Sequence, residues 1–415
     1  MPGINRRNVL FATGMTGIMG LTRPVVAEQL QAKQKRVLLV FQHGGLSQLE
    51  SWDPKPNTDT GGPFRSISTS VPGVQISELL PHSAKQLHHF SLLRGLQTGD
   101  SNHDTARITM LTGWRQGIFG GNYPSLGAVC TSLLSESRPK PAFVVLANRD
   151  QWHLNPLVDA SYLGPTCAPV VSFDEQLPDN VDSMPDMTAE RMKRRRLLRE
   201  QFGQRFAETR NSAEISAYQA TFDQARHLME NRRLFDISEE SENDKLRYGT
   251  HAFGKRCLIA RRLLEADTCF VKLNHGNYDT HFENFNHHLH RLEEFDQPFA
   301  ALISDLAERG LLESTLVIVT GEFGRTPRLN SSIGRDHWSD AWSIAIGGCG
   351  IKPGVVYGKT NENGTTVVDG LIGFPHLFQT FYSALGLDPH QDIFNGEQPL
   401  KMFEEGGAPI QEILI

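Results

Sequence analysis

The sequence is poor in cysteine and contains no paired cysteine motif. Five cysteines are scattered through 415 residues without any C-x-x-C spacing: Cys130, Cys167, Cys257, Cys269 and Cys349. A zinc ribbon is therefore excluded, and an odd, scattered set argues against a disulfide framework. Apolar content of 39% and charged content of 21% are typical of a globular protein.

Long apolar runs are also missing. The apolar segment at residues 9–21 is shorter than the ~20 residues that span a bilayer, so no stable membrane span is expected. Paired Arg6 and Arg7 precede it and Val25-Val26-Ala27 follows it, which resembles a twin-arginine export signal. An ordinary amphipathic helix is the alternative. The signal predicts cleavage after Ala27, the twin-arginine translocase as an export partner, and a periplasmic or secreted protein.

An excess of positive charge is absent as well. Without residues 1–27 the chain keeps 38 basic and 47 acidic side chains, a net charge of −9. This balance argues against a nucleic-acid partner, which needs a basic face. The basic stretch MKRRRLLRE at residues 192–200 lies in a helical pattern, and we interpret it as a solvated helix face.

Short apolar runs alternate with helical patterns along the chain. Six runs predict strands, at residues 37–41, 90–93, 141–147, 268–274, 314–324 and 342–348. Alternating strands and helices predict an α/β fold with a mainly parallel sheet. A charged, helical stretch at about 187–264 breaks the alternation, and we interpret it as a helical insertion in a single domain, residues 28–415.

Polar residues follow the predicted strands at several separate points. They are His43, His103, Arg107, Asp279, His281, Glu322, Arg325 and His337. Because parallel α/β sheets bind ligands beyond the carboxyl ends of their strands, these residues are expected to meet. Imidazole and carboxylate donors suit zinc, manganese or iron, which polarise phosphoryl or sulfuryl oxygens. Arg107 and Arg325 are candidates to bind an anion.

Each of these residues also has a structural interpretation. Asp279 and His281 are spaced like a turn that hydrogen-bonds its own backbone. Asp104 is a candidate helix N-cap, and His337 beside Trp338 is a candidate core histidine. The prediction of a metal site rests on the coincidence of several such residues at strand ends.

Seven motifs add a resemblance to a known family. In order they are GGLSQLESWDPKP, LFDISEE…YG, CLIARRLLEADTCFVKL, YDTHFENF, GEFGRTPRLN, GRDHW and GVVYGKTNENG. Together they resemble a large bacterial family of exported proteins classed as a domain of unknown function. That family is similar to the alkaline phosphatase and sulfatase superfamily. The resemblance implies an α/β sandwich around a parallel-rich sheet, one or two metals, and a Ser, Thr or formylglycine nucleophile.

The metal residues of that superfamily carry over unevenly. Asp279 and His281 resemble its later Asp and His, although the spacing is two rather than four. His337 resembles the final His. Glu322 stands where the superfamily has the Asp of Asp-His-Gly, and Phe323 replaces the His.

The nucleophile region departs further from the superfamily. His103 occupies the nucleophile position, Arg107 matches the following arginine, and Ser101 and Thr105 are poorly placed substitutes. An Asp after the first strand is absent, and His43 is the nearest polar side chain. The resemblance therefore implies hydrolysis by a metal-activated water, with His103 as acid or base.

These residues lead to one main hypothesis and one rival. The main hypothesis is an exported metal-dependent hydrolase of a phosphate or sulfate ester, small or carried on a polysaccharide. Asp279, His281 and His337 would hold a first divalent metal, with Glu322 and His43 beside it, and zinc, manganese and calcium stay open. The rival is a non-catalytic metal- or glycan-binding protein on the same fold. Peptide hydrolysis is a third hypothesis and the weakest, because the sequence contains no H-E-x-x-H motif.

Overall fold

The computed structural model describes residues 35–116, 122–135, 141–149, 160–178, 187–207 and 212–415. The predicted export signal, residues 1–27, lies outside these ranges. Within them, no helix combines the length and apolar character that crossing a bilayer requires.

An eight-stranded sheet forms the centre of the protein. Its strands, in spatial order, are β12 (Val356–Tyr357), β4 (Phe90–Leu96), β11 (Trp342–Gly348), β8 (Thr315–Thr320), β1 (Arg36–Gln42), β7 (Phe270–His275), β5 (Phe143–Ala147) and β6 (Val170–Phe173). Strand β11 is antiparallel to both neighbours, and the other pairings are parallel. The predicted mainly parallel sheet is confirmed.

All six predicted strands are present, and two further strands lie at the sheet edges. Strands β1, β5, β7 and β8 are buried along nearly their whole length, as expected for central parallel strands covered on both faces. The edge strands β6 and β12 were not predicted. They are short and only partly buried, so they lack the continuous apolar run that marks a central strand.

Helices cover both faces of the sheet. They are α1 (Pro81–Gln86), α2 (His103–Thr112), α3 (Leu126–Leu134), α4 (Ala189–Ala207), α5 (Ser212–Glu230), α6 (Glu242–Tyr248), α7 (Ala252–Glu265), α8 (Asn284–Glu308) and α9 (Phe374–Ala384). Helices α3 and α9 pack on one face through a core that includes Val129 and Phe378. Helices α7 and α8 pack on the other through Leu258 and Leu302. The chain is an α/β sandwich.

Helices α4 to α7 occupy the segment predicted as a helical insertion. Helix α7 is largely buried and leads directly into β7, so it belongs to the alternating strands and helices. Helix α4 is exposed along its described side chains. The division into one domain with an insertion stays a prediction.

Four two-stranded pieces complete the fold. They pair β2 (Ser66–Ser68) with β3 (Gln75–Ser77), β9 (Gly324–Arg325) with β10 (His337–Trp338), β13 (Lys359–Thr360) with β14 (Val367–Asp369), and β15 (Asp392–Asn395) with β16 (Gln398–Lys401). The β9–β10 pair matters for function, because it places His337 directly opposite Arg325.

Candidate metal centre

The predicted site residues meet at one edge of the sheet. The loops after β1, β7 and β8 leave that edge side by side, since these three strands are parallel neighbours. Helix α2 begins at His103, after β4, and the β9–β10 pair brings His337 to the same edge. Parallel topology therefore gathers residues that lie more than two hundred positions apart in sequence.

Two glycines allow the loops to approach closely. Gly44 has φ 100°, and a Cβ there would lie 2.5 Å from the backbone nitrogen of Asp279. A Cβ on Gly334 would lie 2.0 Å from the backbone carbonyl carbon of His281. A side chain at either position would push apart the loops that carry the candidate ligands.

Asp279 lies at the centre of the site. Its Oδ1 is 3.1 Å from His281 Nε2 and 3.2 Å from His337 Nε2. These two nitrogens are 3.0 Å apart. The side chains of Asp279 and His281 are 45% and 43% exposed, so this group faces solvent, and we call Asp279, His281 and His337 the outer triad.

The outer nitrogens of both histidines are anchored. His281 Nδ1 donates to Asp336 Oδ1 at 2.6 Å, and His337 Nδ1 donates to the Ser101 carbonyl at 2.7 Å. This pairing leaves Nε2 of each ring unprotonated, as in the carboxylate–histidine–metal arrangements of metalloproteins. Two imidazole lone pairs and a carboxylate oxygen then converge, which is repulsive unless a cation lies among them.

The spacing and chemistry of the outer triad fit a metal ion. Around a tetrahedral ion with bonds of about 2.1 Å, ligand atoms lie roughly 3.4 Å apart, close to the 3.0–3.2 Å between these three atoms. Two nitrogens and one oxygen leave further coordination positions for solvent or substrate, as catalytic zinc sites do. His103, Asp279 and His337 also offer ligand atoms within 4.8 Å of one another.

His103 lies between two carboxylates. Its Nδ1 is 2.7 Å from Glu322 Oε1 and its Nε2 is 3.3 Å from Asp279 Oδ2. Burial opposes protonation, but hydrogen bonds to Asp279 and Glu322 and their negative charges raise the His103 pKa to about 9. Burial also opposes ionisation of Asp279, yet hydrogen bonds from His103 and Arg325 lower its pKa.

A second polar group lies beneath the outer triad. We call His43, Lys272 and Asn274 the inner group; each is 1–3% exposed. Neither ring nitrogen of His43 and neither amide atom of Asn274 has a hydrogen-bond partner among the described residues. Burial, reinforced by the charge of Lys272, lowers the His43 pKa to about 3, so His43 is neutral.

The two arginines predicted to bind an anion are both buried. Arg107 is 4% exposed, donating to the His103 carbonyl at 2.8 Å and to Asp104 Oδ1 at 2.7 Å. Arg325 is fully buried; it donates to the carbonyls of Gly44 and Gly45 and, at 2.5 Å, to Asp279 Oδ1. The substrate-binding role of these arginines stays a prediction, and Arg325 lies behind Asp279.

Of the predicted ligands, Glu322 and His43 lie outside the outer triad. Glu322 Oε1 accepts from His103 and from the Gly44 backbone N–H at 2.9 Å. Glu322 Oε2 has no partner among the described residues. Glu322 therefore connects His103 to the loop at Gly44. Burial opposes ionisation of Glu322, but the hydrogen bond from His103 lowers its pKa.

Several supporting groups complete the site. Asp336, which stands beside His337 in the GRDHW motif, the Ser101 carbonyl and Asn330 hold the outer triad, with Asn330 Nδ2 donating to Asp336 Oδ1 at 3.1 Å. Sequence reasoning missed the supporting roles of the Ser101 carbonyl and Asn330. It also missed Lys272 and Asn274, whose alternation with apolar residues along β7 could have indicated them. The suggestion that Asp104 caps α2 was wrong, because the Asn102 side chain accepts from the helix N–H groups.

Sequence comparison places the chain in a family. The model of "Protein of unknown function (DUF1501)" matches residues 34–414, which is nearly all of the chain. The chain belongs to the DUF1501 family. The family resemblance seen in the motifs is thereby confirmed. No curated protein sequence matches this DUF1501 chain.

Several solved structures resemble this DUF1501 chain at low identity. The lipoteichoic acid synthase LtaP from Listeria monocytogenes is 10% identical, with TM-score 0.41, covering 90% of this chain and 75% of that one. A protein in the alkaline phosphatase superfamily from Vibrio parahaemolyticus is 9% identical, with TM-score 0.41 and coverages of 85% and 66%. The PsFucS1 sulfatase from Pseudoalteromonas sp. is 13% identical, with TM-score 0.40 and coverages of 87% and 70%. At these values the resemblance says nothing about activity, which has to be inferred from the site.

Proposed function

We propose that this DUF1501 protein is an exported hydrolase that uses a divalent metal to cleave a phosphate or sulfate ester. The observation that carries the proposal is the convergence of His281 Nε2, His337 Nε2 and Asp279 Oδ1 within 3.0–3.2 Å, while Nδ1 of each ring is held elsewhere. Such a set of lone pairs binds a cation. Export is inferred from the sequence alone: paired Arg6 and Arg7, the short apolar segment at residues 9–21 and the small-residue site ending at Ala27.

The bound metal would supply polarisation of the ester oxygen and a lower pKa for an attacking water. Asp279, His281 and His337 would hold it, and Asp336 would keep the His281 ring oriented. Arg325 would fix Asp279 from behind, since its guanidinium donates to that carboxylate and to three backbone carbonyls.

His103 would move the proton in this reaction. Its ring is 4.3 Å from the His337 ring, centroid to centroid, so it lies beside the metal position. Glu322 holds Nδ1, and Nε2 points towards Asp279. His103 Nε2 is therefore the atom from which a proton would reach the leaving group. The ring would then be neutral, with its remaining Nδ1 proton held by Glu322.

The substrate is proposed as a phosphate or sulfate ester on a small molecule or polysaccharide. The outer triad is open to solvent, which suits a bulky substrate that approaches from outside. The positive charge of Arg107, buried beneath His103, would favour an anionic group there.

One observation favours the alternative, a non-catalytic metal- or glycan-binding protein. The Ser101 hydroxyl bonds the Ser339 hydroxyl at 2.9 Å. The Thr105 hydroxyl contacts the Asn102 carbonyl at 3.5 Å. Within the described residues, neither hydroxyl is paired with a histidine base, so neither is set up as a nucleophile.

Elemental analysis of the protein purified without chelator tests the proposal. Stoichiometric metal is expected in the wild type and in His290→Ala, whose side chain is exposed on α8. The double variant His281→Ala/His337→Ala is expected to contain none. Metal-dependent cleavage of aryl phosphate or sulfate esters should be lost in the same variant. Metal without turnover would favour the metal-binding protein. No metal in the wild type would overturn the hydrolase and leave glycan binding as the leading alternative.

A further inference from the structure

The hairpin of α4 and α5 combines features found nowhere else among the described residues. Six cations lie within nine positions of α4: Arg191, Lys193, Arg194, Arg195, Arg196 and Arg199. The whole chain is nevertheless acidic, with a net charge of −6. Salt screens the interaction of charges that are more than about 8–10 Å apart. The local positive charge of α4, rather than the net charge of the chain, therefore determines which ligands the hairpin attracts.

Large apolar side chains are exposed on the same hairpin. Phe202 and Tyr218 are 62% and 61% exposed, and Leu198 is 43% exposed. Phe222 packs edge-on against Tyr218 with ring centroids 4.8 Å apart. Arg199 lies 4.2 Å over the Phe222 ring and ties α4 to α5. We call the exposed side chains Leu198, Phe202, Tyr218 and Phe222 the hairpin patch.

Helical spacing puts apolar and cationic groups on one face. Arg191, Arg195, Leu198 and Phe202 follow one another at intervals of three or four residues, which places them along one side of α4. Arg194 lies next to Leu198 on the same side. Lys193, Arg194 and Arg195 form no ion pair among the described residues, whereas Arg196 pairs with Glu200 at 3.6 Å.

Helix α4 is the outer member of the hairpin. Its described side chains at residues 189–203 are exposed, except for the half-buried Arg199 and Gly203. Helix α5 connects the hairpin to the body, because Leu228 reaches the core and Gln224 donates to the Ala168 carbonyl at 3.3 Å. The cationic, apolar face therefore projects from the α/β body.

We propose that the hairpin patch and its arginines dock the protein on a bilayer surface rich in anionic phospholipids. Each cation near such a surface strengthens binding about fivefold, and an exposed Phe–Leu stripe inserts at the level of the headgroups. A second copy of the chain fits this face poorly, since a symmetric contact would set six cations against six cations. The proposal is independent of the metal centre and needs no hydrolysis.

Sedimentation with phospholipid vesicles tests this docking. The chain from residue 28 is used, so that the apolar segment at residues 9–21 does not itself bind lipid. Binding to phosphatidylcholine vesicles that contain phosphatidylglycerol is expected, and it should weaken as salt is raised. Binding to phosphatidylcholine alone is expected to be absent. Equal binding to both vesicles, or to neither, would overturn the proposal.

Two matched triple variants test whether the hairpin is the part of the protein that contacts the vesicle. Lys193→Gln/Arg194→Gln/Arg195→Gln is expected to weaken binding at least about tenfold. Arg65→Gln/Lys352→Gln/Lys359→Gln removes three exposed cations elsewhere and should bind as the wild type does. Loss of binding in both triple variants would show a general charge effect and contradict docking through the hairpin. Far-UV circular dichroism checks that each variant is folded.

A reporter tests the apolar part of the proposal. Phe202→Trp is expected to show a blue-shifted emission component with anionic vesicles, because that side chain enters an apolar layer. A bound protein with no shift would refute insertion of the hairpin patch. Formation of a dimer that Leu198→Ser/Phe202→Ser abolishes, without vesicle binding, would assign the face to a second copy instead.

Discussion

The outer triad and the inner group lie at the same sheet edge but differ in how their polar atoms are satisfied. In the outer triad, Nδ1 of each histidine has a hydrogen-bond partner, and Nε2 lies beside the other ring and Asp279. In the inner group, His43 and Asn274 have none among the described residues, although both are buried. Burial of unpaired polar atoms costs about 1–3 kcal/mol for each group.

This contrast indicates different contributions to the site. The outer triad is preorganised by Asp336, Ser101 and Arg325, so the fold holds the three lone pairs together before any ion arrives. The inner group is buried behind His103 and Glu322, where the effective dielectric constant is low and charges interact strongly. The candidate ligands differ from the polar residues behind them because they have hydrogen-bond partners, not because of their residue type.

Removal of Asp279 should have the largest effect on the outer triad. Asp279→Ala is expected to weaken metal affinity by more than about 100-fold, beyond the range for residues that act only through a ligand. Any ester hydrolysis should fall with it. Metal titration followed by calorimetry measures the change, with the exposed Asp340→Ala as control. An unchanged affinity would exclude Asp279 as a ligand.

Loss of the His281 anchor should have an intermediate effect. Asp336→Asn keeps the side-chain size but removes the charge that orients the His281 ring at 2.6 Å. Metal affinity is expected to fall about 10–100-fold, while the metal-free protein should keep its melting temperature. The same titration with Asp340→Asn as control measures it. A lower melting temperature without any loss of affinity would make Asp336 structural only.

A substitution in the inner group should raise the stability of the protein, whereas those in the outer triad lower its metal affinity. Asn274→Leu replaces an unpaired buried amide by an apolar group of similar size, so we expect the free energy of unfolding to rise by about 1–2 kcal/mol. Urea denaturation of the metal-free protein measures this change. The control is Asn286→Leu, whose side chain is exposed on α8. Asn277, in the loop that follows β7, is not used because its φ of 69° disfavours leucine. Destabilisation by Asn274→Leu would mean that the amide has a necessary partner.

A pH dependence of about 1.4 kcal/mol per pH unit in the free energy of unfolding should arise away from the ligands. Burial lowers the pKa of His288 from 6.5 to about 4. Between these values the unfolded chain binds a proton that the folded chain does not, so stability falls as pH drops from 6.5 towards 4. The slope contributed by His288 is about 1.4 kcal/mol per pH unit.

His288→Gln tests that slope. The glutamine amide oxygen can still accept from the Ser47 N–H, which His288 Nε2 accepts at 3.1 Å. Urea unfolding in chelator at several pH values between 4.5 and 6.5 should show a shallower dependence than in the wild type. His290→Gln, exposed on the same helix, should leave the slope unchanged. An equal slope in His288→Gln would contradict the buried neutral imidazole.

The sequence predicted the main strands and named most of the residues that the structure brings together in the candidate site. Apolar runs of five to seven residues marked the central strands, because burial on both faces requires them. The recurrence of polar residues after those runs then pointed to Asp279, His281, Glu322 and His337. Weakly apolar edge strands and the helix cap at Asn102 escaped detection, since exposed positions accept many residue types.

Sequence by itself determined which residues are available at the sheet edge, because strand period and burial are local properties of the chain. Only the tertiary structure decided which of them face one another. Pairing of β9 with β10, and the close loop approach at Gly44 and Gly334, put His337 and His281 beside Asp279 and left His43 beneath them. A hydrogen bond tolerates only a few tenths of an ångström of variation in its length. Contacts between residues 58 to 236 positions apart therefore depend on tertiary packing, which a local sequence pattern does not encode.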